Sequence, residues 1–593
     1  MSAVRSIPAA GRGFGVPEGK TEQGEHFDAV VVGSGFGGSV MAYRLAEADL
    51  EVCLLERGKP YPPGSFPRSP HGISKNFWDP SEGLHGMFDL WSFTGLDALI
   101  SSGLGGGSLI YANVMIRKDE HWFVREDVGS GHEYWPVTRA DLDHHYDRVE
   151  RMLNVQRYPL DREPYASTPK TLALKRAAEK LGYDWFLPNL AVTFANQGEA
   201  PVPGEPIREA HPNLHGRTRY TCRLVGECDV GCNYGSKNTL DYTYLSEAKR
   251  LGAEIRPRCE VRGFRPREGG GFEIDYVHHD PSREGHRTDT RDTTVVPLQT
   301  MTADRLILSA GTLGSTYLLL KNKAAFGGAL SKALGTHFSG NGDLLTFALK
   351  CTAERNGHRE PAVVEPGYGP VITSAIRFGD ALDGDGSDGR GFYIEDAGYP
   401  DFISWMVEMA DEPRALWAYR KVALRLVKKW LQHSPETDLS AEASEFFGDS
   451  ALSAGLLPLL GMGRDVPDGK MRLQDGKLQV DWSKTGASAA YFDRLRDRMH
   501  DLANELGSEF RDNPIWWLNR VITVHSLGGS PMGRTAEEGV VDSYGRVFGV
   551  PGLHVADGSV MPGPVGPNPS ETIAAMSDRF ADAIVDDTTG GAR

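Results

Sequence analysis

The stretch FDAVVVGSGFGGSVMAYRLAEADLEVCLLERG, residues 27–58, decides the fold of this chain. Residues 29–32 form a short apolar run whose β-branched side chains predict a buried strand. Three glycines follow at G-x-G-x-x-G spacing, and residues 39–47 have the composition of a helix. Val52–Leu55 is a second apolar run, and Glu56 comes directly after it. This order of strand, glycine turn, helix, strand and terminal acid predicts a dinucleotide-binding unit.

Each of the three glycines has a physical task in such a unit. Gly33 lets the chain turn tightly, Gly35 lets a pyrophosphate approach the backbone, and Gly38 lets helix and strand pack closely. Glu56 can accept hydrogen bonds from a ribose diol. An ordinary strand–turn–helix with glycines in its turn is the alternative. The stretch alone leaves open whether the ligand is FAD or NAD.

Composition limits the class of protein. The chain has 593 residues, and its 64 basic and 80 acidic residues give a formal net charge of −16. Nucleic-acid-binding proteins present a basic surface, so this charge argues against a general nucleic-acid binder. The length, with a hydrophobic content of 40%, predicts two large interleaved domains or about three to four smaller ones.

The N-terminal segment and the cysteines favour a cytoplasmic protein. Residues 1–26 are rich in Gly and Pro and lack the apolar core of a secretion signal, so we expect a flexible lead-in. No run of about 18 apolar residues is present to cross a membrane. The six Cys form no dense framework, which is typical of free thiols in a reducing compartment.

Two further glycine-rich segments predict parts of the same ligand-binding sheet. Residues 103–108, GLGGGS, have apolar neighbours and suit close approach to a flat or charged ligand, with a flexible loop as the alternative. Residues 306–320 have the pattern of a strand, a glycine turn and a helix, which can extend a parallel sheet. Other strands are expected at 252–264, 270–277 and 295–301, and a helix at 120–153.

Three cysteines, Cys222, Cys228 and Cys232, follow one another at C-x5-C-x3-C spacing. A zinc or iron–sulfur site normally has four ligands. The nearest further candidate, His215, precedes them at no recognisable spacing. We therefore expect buried free thiols in a Gly-rich turn and no bound metal.

The basic segment 414–431, RALWAYRKVALRLVKKWL, is predicted to form an amphipathic helix. Such a helix can dock on a membrane surface or cover a lipophilic substrate site. A helix packed on the core of the protein itself is the simpler interpretation.

The C-terminal segment carries residues suited to chemistry. An apolar run, residues 521–524, leads straight into His525, and the loop of Asn568 precedes a predicted helix at 571–585. An imidazole has a pKa near 6.5 and can act as a base at neutral pH, with a structural histidine as the alternative. An amide can orient an alcohol oxygen but cannot take its proton.

In motif order the chain resembles the glucose–methanol–choline (GMC) flavoprotein oxidoreductases, and within them it is most similar to bacterial cholesterol oxidases. The resemblance covers most of the chain. The matching motifs are GSGFGG at 33–38, Glu56, GLGGGSLI at 103–110, ILSAGTLGST at 307–316, HSLGGSPMG at 525–533, VADGSVMPG at 555–563 and GPNP at 566–569. The cysteine cluster and the basic helix have no counterpart in the best-known members.

The resemblance implies a bound FAD and assigns residues to it. Residues 103–113 contain no His for a covalent link, so the FAD is expected to be non-covalent. The implied cofactor-binding residues are Gly33, Gly35, Phe36, Gly37, Gly38, Glu56, Arg57, Gly105, Gly106, Gly107, Ser108, Asn113, Val261, Ala310, Gly311, Asp557, Gly558, Asn568 and Pro569. His525 and Asn568 resemble the active-site pair of the family. Glu395, in the short match FYIED, resembles the glutamate that moves a proton between steroid carbons.

The implied architecture is an α/β fold of two domains. The FAD-binding Rossmann-like domain would comprise residues 27–119, 215–342 and 519–593. The substrate-binding domain, residues 120–214 and 343–518, would hold a mixed or antiparallel sheet with covering helices. The implied reaction is oxidation of a hydroxyl to a carbonyl on a sterol or another bulky lipophilic alcohol, with oxygen or another electron acceptor.

Three alternatives to this function stay open. The first is a GMC-type flavoenzyme for a non-steroid alcohol or a secondary metabolite, a choice that pocket residues 399–430 would decide. The second is an NAD-linked dehydrogenase, which would be colourless. The third is a flavin-binding protein without turnover, although such a protein has no need of His525 and Asn568.

Overall fold

A computed structural model describes residues 24–127, 131–286, 296–355, 357–400 and 455–590. The principal strands are β1 His26–Val32, β2 Val52–Leu55, β3 Phe88–Phe93, β4 Leu96–Ser101, β5 Asp184–Phe186, β6 Glu254–Arg256, β7 Cys259–Pro266, β8 Phe272–His278, β9 Leu298–Leu308, β10 Leu344–Leu349, β11 Ala375–Phe378, β12 Phe392–Asp396, β13 Leu457–Gly463, β14 Glu509–Asp512, β15 Val521–Thr523 and β16 Leu553–Val555. The principal helices are α1 Phe36–Glu47, α2 Arg139–Met152, α3 Pro169–Leu181, α4 Tyr244–Arg250, α5 Gly311–Asn322, α6 Ala489–Glu505 and α7 Ser570–Gly590.

Short strands complete the described part of the chain. They are Trp78–Asp79 with Leu84–His85, Val124–Asp127 with Gly131–Tyr134, Thr352–Arg355 with His358–Pro361, Lys470–Gln474 with Lys477–Asp481, and a small sheet of Val114–Met115, Asn189–Leu190 and Gln156–Arg157. Among the described helices, none is both long enough and apolar enough to cross a membrane.

The first large sheet is built from segments far apart in sequence. Its strand order is β6-β2-β1-β9-β8-β7, and β16 pairs with β9. Strands β6, β2, β1, β16 and the second half of β9 run parallel, whereas β7 and β8 are antiparallel. The last four residues of strand β1 are all buried. Parallel strands are covered on both faces, which is why this strand is a continuous apolar run in the sequence. Helix α7 packs against both α1 and α2 beside this sheet.

Strand β9 corrects the prediction of two separate strands, at 295–301 and 306–309. The segment Leu298–Leu308 is one strand, which pairs antiparallel with β8 through its first half and parallel with β1 through its second half. The sequence suggested a break because the exposed residues 298–300 precede the buried residues 306–308. That change reflects a change of neighbours along one strand.

The second large sheet is wholly antiparallel, in the order β5-β11-β12-β13-β10-β14. Helices α3 and α6 pack beside it and share its apolar core. A third, small sheet joins β15, β4 and β3, with β15 parallel to β4. Strand β15 therefore brings the residues that follow it, beginning with Val524 and His525, next to the glycine-rich loop that follows β4.

Helix α2 corrects the prediction of a helix over 120–153. The helix begins only at Arg139, because Thr138 caps it and exchanges hydrogen bonds with Asp141 in a capping box. A 3-10 turn and a short hairpin occupy the residues before it. Polar residues at helical spacing misled the prediction, although Pro136 and the T-x-x-D pattern marked the true start.

Several predictions concern residues outside the described ranges. They are the lead-in over residues 1–23, the basic helix 414–431 and most of the pocket segment 399–430. The domain boundaries at 120, 215, 343 and 519 also stay predictions. Helix α2 belongs by sequence to the predicted substrate domain, yet it packs on α7, which follows the Asn568 loop.

Candidate active site

A cavity of about 1050 Å³ lies among the three sheets and gathers most of the predicted site residues. The predicted residues that line it are Gly33, Gly35, Phe36, Gly37, Glu56, Arg57, Gly106, Gly107, Asn113, Val261, Ala310, Gly311, His525, Asp557, Gly558, Asn568 and Pro569. The other four, Gly38, Gly105, Ser108 and Glu395, lie behind this lining. Segments separated by hundreds of residues thus form one surface.

The glycines of the first motif divide into two physical classes. A Cβ atom at Gly33 would lie 2.3 Å from the carbonyl oxygen of Ser309, and one at Gly37 would lie 1.6 Å from that of Ala556. These glycines are needed so that backbone can pack on backbone. A Cβ atom at Gly35 would meet nothing within 4 Å. The absence of a side chain at Gly35 therefore leaves space in the cavity itself.

Three helices begin at the wall of the cavity. Phe36, Gly311 and Ser570 are the first residues of α1, α5 and α7, and all three line it. The N-terminus of a helix carries a partial positive charge and unpaired N–H groups, which favour bound anions. This arrangement, with the open space at Gly35, fits a pyrophosphate and an electron-rich ring, as FAD would provide.

Glu56 and Ser34 hold the glycine-rich loop of residues 33–38 in place through hydrogen bonds. Glu56 accepts hydrogen bonds from the Ser34 amide at 3.0 Å, the Ser34 hydroxyl at 2.6 Å and the Gly58 amide at 2.8 Å. The Ser34 hydroxyl also accepts one from the Gly105 amide at 2.9 Å. Burial raises the pKa of Glu56. Glu56 therefore holds two glycine-rich loops together in addition to its predicted role at a ribose.

Gly105 and Ser108 act in the same structural way. The Ser108 hydroxyl donates to the Gly105 carbonyl at 2.7 Å and accepts from the Leu240 amide at 3.0 Å. These bonds pin the turn whose next residues, Gly106 and Gly107, face the cavity. At the opposite wall, Asp557 accepts from the Ser315 hydroxyl at 2.5 Å, which ties it to α5.

A Gly35→Ala substitution should separate cofactor binding from folding. The new methyl group meets no protein atom within 4 Å, and Gly35 has φ −70°, so we expect little change in the thermal stability of the apoprotein. The methyl would occupy the space that a pyrophosphate needs, and we expect FAD affinity to fall about 10- to 100-fold. Titration of apoprotein with FAD measures the affinity. Gly24→Ala, equally free of contacts, should leave it unchanged.

His525 is held by a carboxylate that lies far away in sequence. Its ring Nδ1 donates to Asp343 Oδ1 at 2.7 Å, and its backbone amide donates to Asp343 Oδ2 at 3.2 Å. The same carboxylate accepts from the Thr523 hydroxyl at 2.9 Å and the Val524 amide at 2.8 Å. Because an ionised carboxylate only accepts, the proton sits on Nδ1 and leaves Nε2 as an acceptor. Nε2 has no hydrogen-bond partner among the described residues.

Asn568 and Glu395 form a second buried pair. Asn568 Nδ2 donates to Glu395 Oε2 at 3.4 Å, while Asn568 Oδ1 and Glu395 Oε1 find no partner within the described part of the chain. Strand β12 carries Glu395, which is fully buried behind Asn568. Glu395 therefore reaches the cavity through Asn568 instead of lining it.

The loop that carries Asn568 is clamped by Asn341. Asn341 Nδ2 donates to the carbonyls of Gly566 at 3.2 Å and Pro567 at 3.1 Å, and its Oδ1 accepts from the Gly566 amide at 2.9 Å. Asn341 lies only two residues before Asp343. One short segment therefore positions both His525 and Asn568.

Burial raises the pKa of Glu395 to about 8, and the negative charges of Asp396 and Asp343 act in the same direction. The folded protein then keeps this proton up to about pH 8, whereas the unfolded chain releases it near 4.5. A raised pKa stabilises the fold at low pH, and this contribution is lost as pH rises, at about 1.4 kcal/mol per pH unit between about 5 and 8.

Glu395→Gln should remove that contribution to the pH dependence. We expect the melting temperature of the variant to fall less between pH 5 and 8 than that of the unaltered protein. Burial also raises the pKa of Asp465 to about 7 and of Asp229 to about 6, so the difference between the two proteins is the quantity to measure. Glu51→Gln, at an exposed site, should show no difference. Parallel curves for Glu395→Gln and the unaltered protein would contradict the assignment.

Asp343 and Asn341 are the site residues that sequence reasoning missed. Both lie in the run SGNGD, residues 339–343, directly before the apolar strand β10. A run of small and polar residues at a strand end is the signal that marks them. Their partners lie about 180 or more residues away, so pairing itself is invisible in one sequence.

Comparison with known proteins places this geometry in context. A GMC oxidoreductase model matches residues 479–577, and an NAD(P)-binding Rossmann-like domain model matches residues 31–62. A cholesterol oxidase of Mycobacterium tuberculosis is 28% identical over 94% of this chain and 90% of its own length. A cholesterol oxidase of Acinetobacter baumannii is 25% identical over 93% of each chain.

A solved structure shares the fold. The crystal structure of pyridoxine 4-oxidase from Mesorbium loti superposes with a TM-score of 0.55 at 16% identity, over 94% of this chain and 98% of that one. The predicted α/β class, with a Rossmann-like domain and a further antiparallel sheet, is confirmed.

Proposed function

We propose that this chain, which is a GMC oxidoreductase, oxidises the hydroxyl group of a sterol or another bulky lipophilic alcohol to a carbonyl. The observation that carries the proposal is the His525–Asp343 pair at the wall of a cavity whose remaining lining is largely apolar. The similarity to two cholesterol oxidases along most of the chain supports the same substrate class.

We infer FAD as the cofactor, held without a covalent bond. When bound, it accepts the hydride that leaves the carbinol carbon. The glycine loops at Gly35 and Gly107, the helix start at Gly311 and the loop of Asn568 would hold it, because they line the cavity where side chains are absent or helices begin.

His525 would remove the hydroxyl proton. Its Nε2 is free to accept, and Asp343 would stabilise the imidazolium that results, since it accepts the Nδ1 proton at 2.7 Å. Asn568 Nδ2 carries a second hydrogen besides the one directed to Glu395, and this hydrogen can orient the alcohol oxygen. In this proposal His525 takes the hydroxyl proton, and Asn568 holds the alcohol oxygen.

Apolar side chains support a lipophilic substrate. Strand β10 begins directly after Asp343, and its Leu345 and Phe347 line the cavity together with Leu460 of β13. Such a lining removes a hydrocarbon skeleton from water at about 25 cal/mol per Å². A small polar alcohol would gain little from it.

Isomerisation of a double bond is a second activity, motivated by Glu395. A carboxyl group whose pKa is raised to about 8 is a stronger base once it is ionised, and the carboxylate can then take a proton from one carbon and return it to another. Because Glu395 lies behind Asn568, its carboxyl must turn toward the cavity to reach the substrate. The position of the double bond in the product, compared between the unaltered protein and Glu395→Gln, tests this step.

Anaerobic flavin reduction tests the proposed function. The purified protein is expected to be yellow, to release flavin on heating, and to lose its visible flavin band when sterols are added without oxygen. Short-chain alcohols serve as the comparison. A yellow protein that only small alcohols or other metabolites reduce would favour a different GMC substrate. A protein that stays yellow with every alcohol would favour a flavin-binding protein without turnover, and a colourless one that refuses FAD would refute the proposal.

A further inference from the structure

One face of the third, small sheet forms a wall of the cavity. The side chains of a strand point alternately to its two sides, and the residues on one side of β15, β4 and β3 line the cavity. Arg520, directly before β15, Asp97 of β4 and Ser92 of β3 are among them. The other side of the sheet packs in the apolar core of the second large sheet. The proposed steps at His525 and Asn568 make no use of this wall.

Three polar side chains meet at one end of the wall. Arg520 Nε donates to Asp97 Oδ2 at 3.0 Å, and Arg520 Nη2 donates to Asp97 Oδ1 at 2.6 Å. Nη2 also donates to the Ser92 hydroxyl at 2.7 Å and to the Leu96 carbonyl at 3.1 Å. A contact of this two-point kind fixes the plane of a guanidinium group. The wall therefore has a polar end with a set geometry.

Two hydrogen-bond donors are left over at this polar end. Within the part of the chain that the structure describes, Arg520 Nη1 makes no hydrogen bond, and the Ser92 hydroxyl accepts from Arg520 without donating its own hydrogen. Both groups can donate to an oxygen in the cavity. Asp97 already balances the charge of Arg520. The polar end therefore suits an uncharged oxygen, because a carboxylate would add an unbalanced negative charge.

Apolar side chains separate the polar end from His525. Ile522 and Val524 lie between Arg520 and His525 along the chain, and all four line the cavity together with Leu99 of β4. Five residue steps separate Arg520 from His525, and an extended chain covers at most about 18 Å in that number. A lipophilic substrate of about that length, with its hydroxyl at His525, places its far end at Arg520.

We propose that Arg520 and Ser92 bind an uncharged oxygen, that of a ketone or a hydroxyl, at the end of the substrate remote from the hydroxyl that is oxidised. Asp97 is a positioning residue, since it holds the guanidinium group in place. The inference rests on the proposed function and narrows its substrate class to lipophilic alcohols with a second oxygen function. Hydrogen bonds with a charged partner are strong enough to raise affinity about 10-fold or more.

Matched pairs of substrates test the proposal. One pair is a steroid alcohol with and without a ketone on the ring farthest from its hydroxyl. The other pair is a sterol with and without a hydroxyl at the end of its side chain. In at least one pair we expect the oxygenated member to have a kcat/KM about 10-fold or more higher, chiefly through a lower KM. Equilibrium dialysis of the same pairs measures the preference in affinity even when no steroid reduces the flavin.

Variants assign the preference to the polar end. Arg520→Met/Asp97→Leu removes both charges together, so no unpaired charge remains, and the ratio of kcat/KM within the pair should fall to near one. A folding defect would lower both members alike and leave the ratio unchanged. If the double variant fails to fold, Ser92→Ala, which removes one hydroxyl, should still lower the ratio about threefold or more. Arg496→Lys, at a two-point contact with Asp512 outside the cavity, should keep the ratio.

The outcomes separate this proposal from the proposed function. Equal kcat/KM and equal affinity for the two members of both pairs would overturn the polar anchor while the oxidation of steroids stands. A preference that persists in the folded variants would overturn it as well. Steroids that bind with the expected preference but never reduce the flavin would support the anchor and count against the proposed function alone.

Discussion

His525→Ala should slow flavin reduction by the substrate about 10²- to 10⁴-fold, the range that removal of a general base produces. The reason is local: Nε2 is the free imidazole nitrogen at the cavity wall, and Asp343 fixes the proton on the other nitrogen. Asn568, the remaining polar group of the predicted pair, cannot take a proton in its place. Stopped-flow measurement of anaerobic flavin bleaching reports this step alone.

The control for His525→Ala is His500→Ala. His500 stacks on Phe510 outside the cavity, so its loss removes an imidazole of comparable burial without touching the site. Both variants should bind FAD as the unaltered protein does. If His525→Ala, with FAD fully bound, reduces its flavin at a rate within about threefold of the original, the decrease is far smaller than the loss of a general base predicts. That result would remove His525 from the mechanism.

Asp343→Asn should lower the rate by about 10² or more, up to the 10⁴ known for a wrong histidine tautomer. An amide nitrogen facing Nδ1 donates instead of accepting, which moves the imidazole proton to Nε2 and blocks the base. Asp343 is a positioning residue, so the effect should appear in kcat with KM nearly unchanged.

The matched control for Asp343→Asn is Asp578→Asn. Asp578 accepts from His145 Nδ1 at 2.6 Å in a buried pair of the same kind, between α7 and α2, and does not line the cavity. The double variant Asp343→Asn/His525→Ala gives the second check. Groups that act as one unit are not additive, so it should be no slower than His525→Ala alone. Losses that multiply would show that Asp343 acts by another route.

Local pattern accounts for the parts of the fold that the sequence predicted well. The glycine spacing at residues 33–38 works because backbone must touch backbone at Gly33 and Gly37, and no other residue type permits it. His525 and Asn568 were recognisable because each stands beside a glycine- or proline-rich turn. Both line the cavity, and their catalytic role stays a prediction.

Contacts between residues far apart in the chain determine the features that the sequence could not predict. Asp343 and His525 are 182 residues apart, and the sequence around either residue does not identify the other as its partner. Glu395 was identified from the short match FYIED, and the structure places it in β12, but only packing determines that Asn568 stands between it and the cavity. Strand β9 has two different neighbours along its length, which produced the two predicted strands.

Strand β16 lies near the C-terminal end of the sequence, which affects how the first large sheet forms during synthesis. Strand β9 ends at Leu308, and its partner β16 begins at Leu553, so the ribosome adds about 245 residues before the pair can form. At 5–20 residues per second this takes roughly 12–50 s. During that time residues 306–308 of β9, which later pair with β16, have no strand on that side and can pair with other chains. Asn568 and helix α7 are synthesised later still, so the wall of the cavity is complete only when synthesis is nearly finished. The yield of folded protein should therefore depend on protecting the unpaired edge of β9 until then.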